Sequence, residues 1–161
     1  MGMSLRIGIL TVSDRVSRGE MEDRGGPAVE GALAPLDAES TERLAVPDER
    51  ERIEEVLRRW ADDDGIDLIV TTGGTGLSPR DVTPEAVNAV CDRLIPGIGE
   101  TMRAAGLAQT PMSMLSRSLA GVRGTTLVIA LPGSPRGAAD GIRVVLPILQ
   151  HAISTLRGAK H

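Results

Sequence analysis

The chain has 161 residues, 41% hydrophobic and 25% charged, which predicts a single domain over 1–161 with its own core and excludes a disordered polar segment. A net charge of −4 argues against a nucleic-acid backbone footprint, and with no Phe, no Tyr and only Trp60 there is no aromatic platform for single-stranded bases. The expected partner is therefore a small molecule, neither nucleic acid nor membrane: Cys91 is the one cysteine, no zinc-ligand spacing occurs, and no apolar run reaches the roughly 18 residues of a membrane span.

Met1-Gly-Met-Ser-Leu-Arg lacks a basic region leading into an apolar one, so the expected location is cytoplasmic. Leu5 to Val12 reads as a buried strand that ends at the polar Ser13-Asp14-Arg15. A loop follows to Gly26, then Pro27, Val29, Ala32, Leu33 and Leu36 predict a helix ending before Ser40. Thr41 to Val46 is the second strand. Asp48 precedes a helix that carries Ile53, Val56, Leu57 and Trp60 at helical spacing, with acidic residues crowding its first turn. Ile66 to Thr71 is the third strand and the most continuously apolar so far, the pattern of a central parallel strand covered on both faces.

A glycine-rich turn comes next, and Thr83-Pro84-Glu85 opens a helix through about Arg93, with Thr83 as its cap. Pro96 breaks this helix; Gly97 to Leu107 and Met112 to Leu119 are weaker helical segments. Thr125 to Leu131 is a fourth strand, and a long amphipathic helix runs from Pro135 to the end with Pro147 inside it. The alternation of strand and helix predicts an α/β fold: a three-layer, mostly parallel, Rossmann-like sheet with helices on both faces.

Ligands of such sheets sit at the carboxyl ends of the strands. The residues that follow each strand are small, hydroxylic, acidic or arginine: Ser13-Asp14-Arg15 and Glu22-Asp23-Arg24, Pro47-Asp48, the turn Gly73 to Asp81, and Pro132-Gly133-Ser134. Gly73-Gly-Thr-Gly76 lets backbone amides approach an anion, yet it is neither the lysine-bearing phosphate loop nor the dinucleotide fingerprint. A plain tight turn is the alternative. Asp48 and Asp81 are each open to two readings, helix entry and capping or metal carboxylate; in the second they would hold a magnesium ion completed by substrate phosphates. Arg15, Arg24, Arg80 and Arg136 would neutralise those phosphates, although seventeen arginines against one lysine make any single arginine weak evidence. Neither His151 nor His161 is placed to activate a nucleophile, and Cys91 reads as a packing residue.

The run TTGGTGLSPRDVTPEA, Thr71 to Ala86, closely resembles the signature of the molybdenum-cofactor biosynthesis family. VSDR, EDRG, Pro47-Asp48, Pro96-Gly97, MLSR, GVRG and LPGS extend the resemblance over nearly the whole chain, and it is strongest to the molybdopterin adenylyltransferases and the G domain of gephyrin. The resemblance implies a homotrimer that transfers adenylate from ATP to molybdopterin with Mg2+, releasing pyrophosphate. It also implies catalytic roles, with magnesium, for Asp48 and Asp81. By the same resemblance Ser13, Asp14, Asp23, Arg24, Gly73, Gly74, Thr75, Gly76, Ser78, Arg80, Thr83, Glu100, Ser116, Pro132, Gly133 and Ser134 contact substrate or nucleotide. Ser134 departs from relatives with Asn or Gln there, and a molybdate-inserting protein is a possible partner. The alternatives are a paralogue that binds molybdopterin without turnover and a scaffolding module of the same fold.

Overall fold

The apolar runs become strands whose side chains alternate between two separate cores. The computed structural model describes residues 4–160; His161 and the leading Met1 to Met3, with the readings placed on them, lie outside the described residues. Six strands form one sheet in the order β2-β1-β3-β6-β5-β4. β1 (Arg6–Val12), β2 (Ser40–Val46), β3 (Leu68–Thr72) and β6 (Thr126–Leu131) are parallel. β5 (Leu119–Arg123) runs antiparallel to β6, and the two-residue β4 (Arg93–Leu94) antiparallel to β5.

On one face Ile7, Ile9, Val70 and Ile129 pack under α2 (Gly25–Leu33), α5 (Pro96–Gly106) and α6 (Pro135–Leu156). On the other, Leu10, Ile69 and Val128 pack under α3 (Arg50–Asp62) and α4 (Thr83–Val90). Because both faces are covered, the central strands are apolar along most of their length, and the buried Thr11, Thr71 and Thr72 come only toward their carboxyl ends. Trp60 of α3 is fully buried; a β-carbon at Gly8 would come within 2.5 Å of its ring, so the indole lies in a notch in β1.

The three-layer, mostly parallel sheet agrees with the sequence expectation, with local corrections. The loop after β1 contains a short helix, α1 (Asp14–Ser17). α4 stops at Val90 and its cap position is Val82, so Thr83 is already inside the helix. Met112 to Leu119 is not an α-helix: Pro111–Leu115 forms a 3-10 turn and Leu119 starts β5. The predicted fourth strand is thus the second arm of a hairpin, closed by the two residues between Arg123 and Thr126, with Gly124 at φ 57°. α6 continues through Pro147. Among the described residues no helix is long and apolar enough to cross a membrane.

Candidate active site

The connection β1-α2-β2 leaves β1 on one side, and α3 returns the chain past it to β3, so the direction of winding reverses between β1 and β3. The crevice at the carboxyl ends of those two strands is where an open α/β sheet holds its ligand. The glycine turn is built into this crevice by close backbone contacts. Gly73 has φ 108°, and a β-carbon there would lie 2.2 Å from the Val12 carbonyl oxygen. Its amide donates to the Leu131 carbonyl at 3.0 Å, and its own carbonyl accepts the Thr83 hydroxyl at 2.9 Å. The Thr72 hydroxyl donates to the Pro132 carbonyl at 2.8 Å, tying the β3 and β6 rims together.

Three carboxylates meet over this turn. Asp48 is not a helix cap: Glu49 occupies that position, and the Asp48 carboxylate accepts the Asp14 amide at 3.0 Å. In return the Asp14 carboxylate accepts the Asp48 amide at 2.9 Å, a reciprocal clasp between the ends of β1 and β2. Arg80 grips the same Asp14 carboxylate through Nε at 3.1 Å and Nη2 at 2.8 Å. These Arg80 hydrogen bonds hold the Asp14 carboxyl below the ordinary range, helped by the Asp48 amide. Burial pushes Asp48 the other way; the Asp14 amide opposes the rise, and the charges of Asp14 and Asp81 add to it. The Asp81 carboxylate accepts the Ser78 amide at 2.9 Å and leaves no room for a side chain at Gly76, whose β-carbon would fall 2.8 Å from it. A β-carbon at Gly74 would meet the Thr83 hydroxyl at 2.3 Å, with the Asp48 carboxylate at 3.3 Å beside it.

The structure places Gly74, Thr75, Gly76, Asp81, Ser116, Pro132 and Gly133 around one groove of about 470 Å³. Ser116 and Pro132 also line an adjoining cleft of about 690 Å³ between α5 and α6, which reaches Ser134 and Arg136. Other expected site residues have structural partners. The Ser13 hydroxyl caps α1, and the Ser134 hydroxyl caps α6 by accepting the Gly137 amide at 3.1 Å. The Asp23 carboxylate is taken by the Thr11 hydroxyl at 2.9 Å and the Gly26 amide at 3.0 Å. Thr83 is fully buried beneath the turn. The Ser78 hydroxyl accepts the Arg80 amide at 3.3 Å. Arg24 lies exposed beside Glu22, Arg15 is exposed, and Glu100 is exposed on α5 and lines neither hollow.

One residue was missed. Arg117 lies in the MLSR segment, and its guanidinium donates to the carbonyls of Gly76 at 2.9 Å and Asp81 at 2.8 Å and to the Glu85 carboxylate at 2.7 Å. Nothing distinguished it from sixteen other arginines except its position in that segment. Cys91 is half-buried and burial pushes its thiol up to about 11, as suits a packing residue.

A glycine turn, three aspartates and an arginine gather at the switch point of an open, mostly parallel α/β sheet, the place where domains of this class bind small ligands. Residues 8–151 match the family described as "Probable molybdopterin binding domain", and the chain belongs to that family. It is 40% identical over 157 residues to the molybdopterin adenylyltransferase of Helicobacter pylori (strain J99), covering 96% of this chain and 89% of that one. It is 42% identical over 147 residues to the Escherichia coli K12 protein of the same name, covering 88% of this chain and 74% of the relative. The crystal structure of the molybdopterin biosynthesis enzyme MoaB from Thermus thermophilus matches with a TM-score of 0.88 at 52% identity, over 96% of this chain and 98% of that one.

Proposed function

We propose that this protein is a molybdopterin adenylyltransferase of molybdenum cofactor biosynthesis, transferring adenylate from ATP to the terminal phosphate of molybdopterin with release of pyrophosphate. The relatives of that name support the activity, and one observation carries it to this site: the Asp48 and Asp81 carboxylates stand over Gly74 and Gly76 of a single anion-accepting turn. The phosphate oxygen of the acceptor bonds to the α-phosphorus of ATP while the bond to the bridging oxygen of pyrophosphate breaks. No protein nucleophile is needed, so the chain's work is to align two phosphate-bearing ligands and offset their charge.

The residues divide that work by position. The turn from Gly74 to Gly76 and the start of α6 face the phosphates, while the two adjoining hollows, joined at Ser116 and Pro132, seat the two substrates. Asp14 and its arginine hold Asp48 in place from below. Magnesium fits the donor set, since Asp48 is a half-buried carboxylate beside two other acids, and a cation would relieve that repulsion. Among the described residues no three His, Cys, Asp or Glu side chains form a ready cage, so Asp48 and Asp81 would hold the ion and phosphates complete its shell. When bound, it would supply charge neutralisation on the transferred phosphate.

The proposal includes one domain over 1–161, a cytoplasmic location, hand-over to a molybdate-inserting protein and a homotrimer. Exposed Leu77, Met112 and Leu115 beside the groove supply apolar surface of the kind assembly covers. The test is incubation of the purified protein with molybdopterin, ATP and Mg2+, with detection of adenylyl-molybdopterin and pyrophosphate. Asp81→Asn should retain molybdopterin binding and lose at least about 100-fold in turnover. Full turnover by that variant refutes the assignment of Asp81; binding without product by the wild type favours the inactive paralogue.

A further inference from the structure

Gly76 and Asp81 are the two ends of a loop that carries the Asp81 carboxylate back over its own start. Within the loop the Ser78 carbonyl accepts the Asp81 amide at 2.9 Å and the Asp81 carboxylate accepts the Ser78 amide at 2.9 Å. These bonds close the tip and leave its base open. The base is closed by Arg117, which comes from outside the loop, on the segment that leads into β5. Its backbone amide donates to the Thr75 carbonyl at 2.8 Å, laying the segment alongside the turn. Its side chain then spans the two ends, Nε to the Gly76 carbonyl and Nη2 to the Asp81 carbonyl. Glu85, in the first turn of α4, takes Nη1 with both oxygens, at 2.7 and 3.0 Å.

We propose that Arg117, oriented by Glu85, is a positioning residue for adenylyl transfer: its fork spans both ends of the 76–81 loop and so sets where the Asp81 carboxylate stands. This rests on the assignment of the site as an adenylyltransferase centre. Only a planar guanidinium offers parallel donors to two separate carbonyls while a third nitrogen meets a carboxylate; a lysine ammonium reaches one of them at a time. Both partners of the Arg117–Glu85 pair are more than a third exposed, and such pairs add little to stability, so geometry is its main effect. The support continues behind it, where Arg103 of α5 donates to the Ser118 carbonyl at 2.6 Å and holds the strap carrying Arg117.

Arg117→Ala, Arg117→Lys and Glu85→Gln, each compared with wild type, test this. Misplacing a reacting group by about 1 Å costs up to roughly 100-fold, so Arg117→Ala should lower kcat on the order of 10- to 100-fold with KM for ATP and molybdopterin nearly unchanged. Free guanidinium should restore much of the loss, methylammonium none, and Arg117→Lys should stay close to Ala. Glu85→Gln should fall between and serves as the variant if Arg117→Ala does not fold. An unchanged kcat, a rise confined to KM, or equal rescue by both cations overturns the proposal. Hydrogen exchange at the Ser78 amide gives a readout independent of turnover. Faster exchange there in Arg117→Ala, with the rest of the molecule protected as before, supports the fixed loop, and unaltered exchange refutes it. If wild type makes no product at all, the adenylyltransferase assignment fails, and the Ser78 amide alone decides whether Arg117 holds Asp81.

Discussion

At the scale of single residues the site works by pairing each charge with a backbone group. Asp14 and Asp48 would repel, yet each accepts the other's amide, so two acids are held side by side without two added donors. Arg80 then neutralises Asp14, while burial and the neighbouring acids push the half-buried Asp48 carboxyl upward. Gly73 sets the floor of this arrangement. Its φ and the 2.2 Å approach of any β-carbon to the Val12 carbonyl mean that alanine must push β1 and β3 apart. Gly73→Ala should lose about 3 kcal/mol or more in urea unfolding, and a variant as stable as wild type would show that the crevice can widen freely. The glycines could be read from the sequence because they follow β3 directly, whereas Asp48 and Asp81 drew notice as catalytic residues through the family resemblance. The setting of Asp48 could not, since an aspartate before a helix has the pattern of a cap, and only the register of β1 against β2 brings Asp14 within reach.

At the scale of elements the antiparallel hairpin is what the sequence concealed. Pro111 to Leu119 is rich in Met, Leu and Ser, which suits a helix as well as a strap, and a two-residue strand such as β4 has no periodicity to detect. The Gly124-Thr125 turn was a usable hairpin signal. Arg123 at the end of β5 joins this addition to the parallel half: it donates to the Asp62 carboxylate at 2.7 Å and to the Val90 carbonyl at 2.8 Å, linking the ends of α3 and α4. The Arg123 hydrogen bond holds the Asp62 carboxyl below its ordinary 3.8. A carboxyl depressed by folding binds fewer protons in the folded chain, so its contribution is present above that ordinary value and vanishes as pH falls through the lower folded one. Asp62→Asn should therefore melt slightly below wild type near neutral pH, and the two melting curves should converge in strong acid. A gap that persists there would mean that packing, not charge, holds the junction.

At the scale of the whole molecule the strand-helix alternation was legible because central strands and amphipathic helices repeat their patterns over many residues. The order of the strands was not, since it depends on which face each helix crosses. The two cores are built almost without aromatics, which places unusual weight on Trp60. Trp60→Ala should cost about 3–5 kcal/mol, a fall in Tm on the order of 10 °C followed by circular dichroism, and a loss of under a degree would mean that α3 repacks onto Gly8. The same isolation has an optical meaning. With no Tyr in the chain, Trp60 dominates the near-ultraviolet emission and reports from one rigid place in the α3-facing core. A reduced pterin absorbs in the region where indole emits, so molybdopterin seated at the rim would act as the acceptor for a single donor. Quenching of that one indole then reads occupancy of the crevice and distance from it in a protein that needs no label.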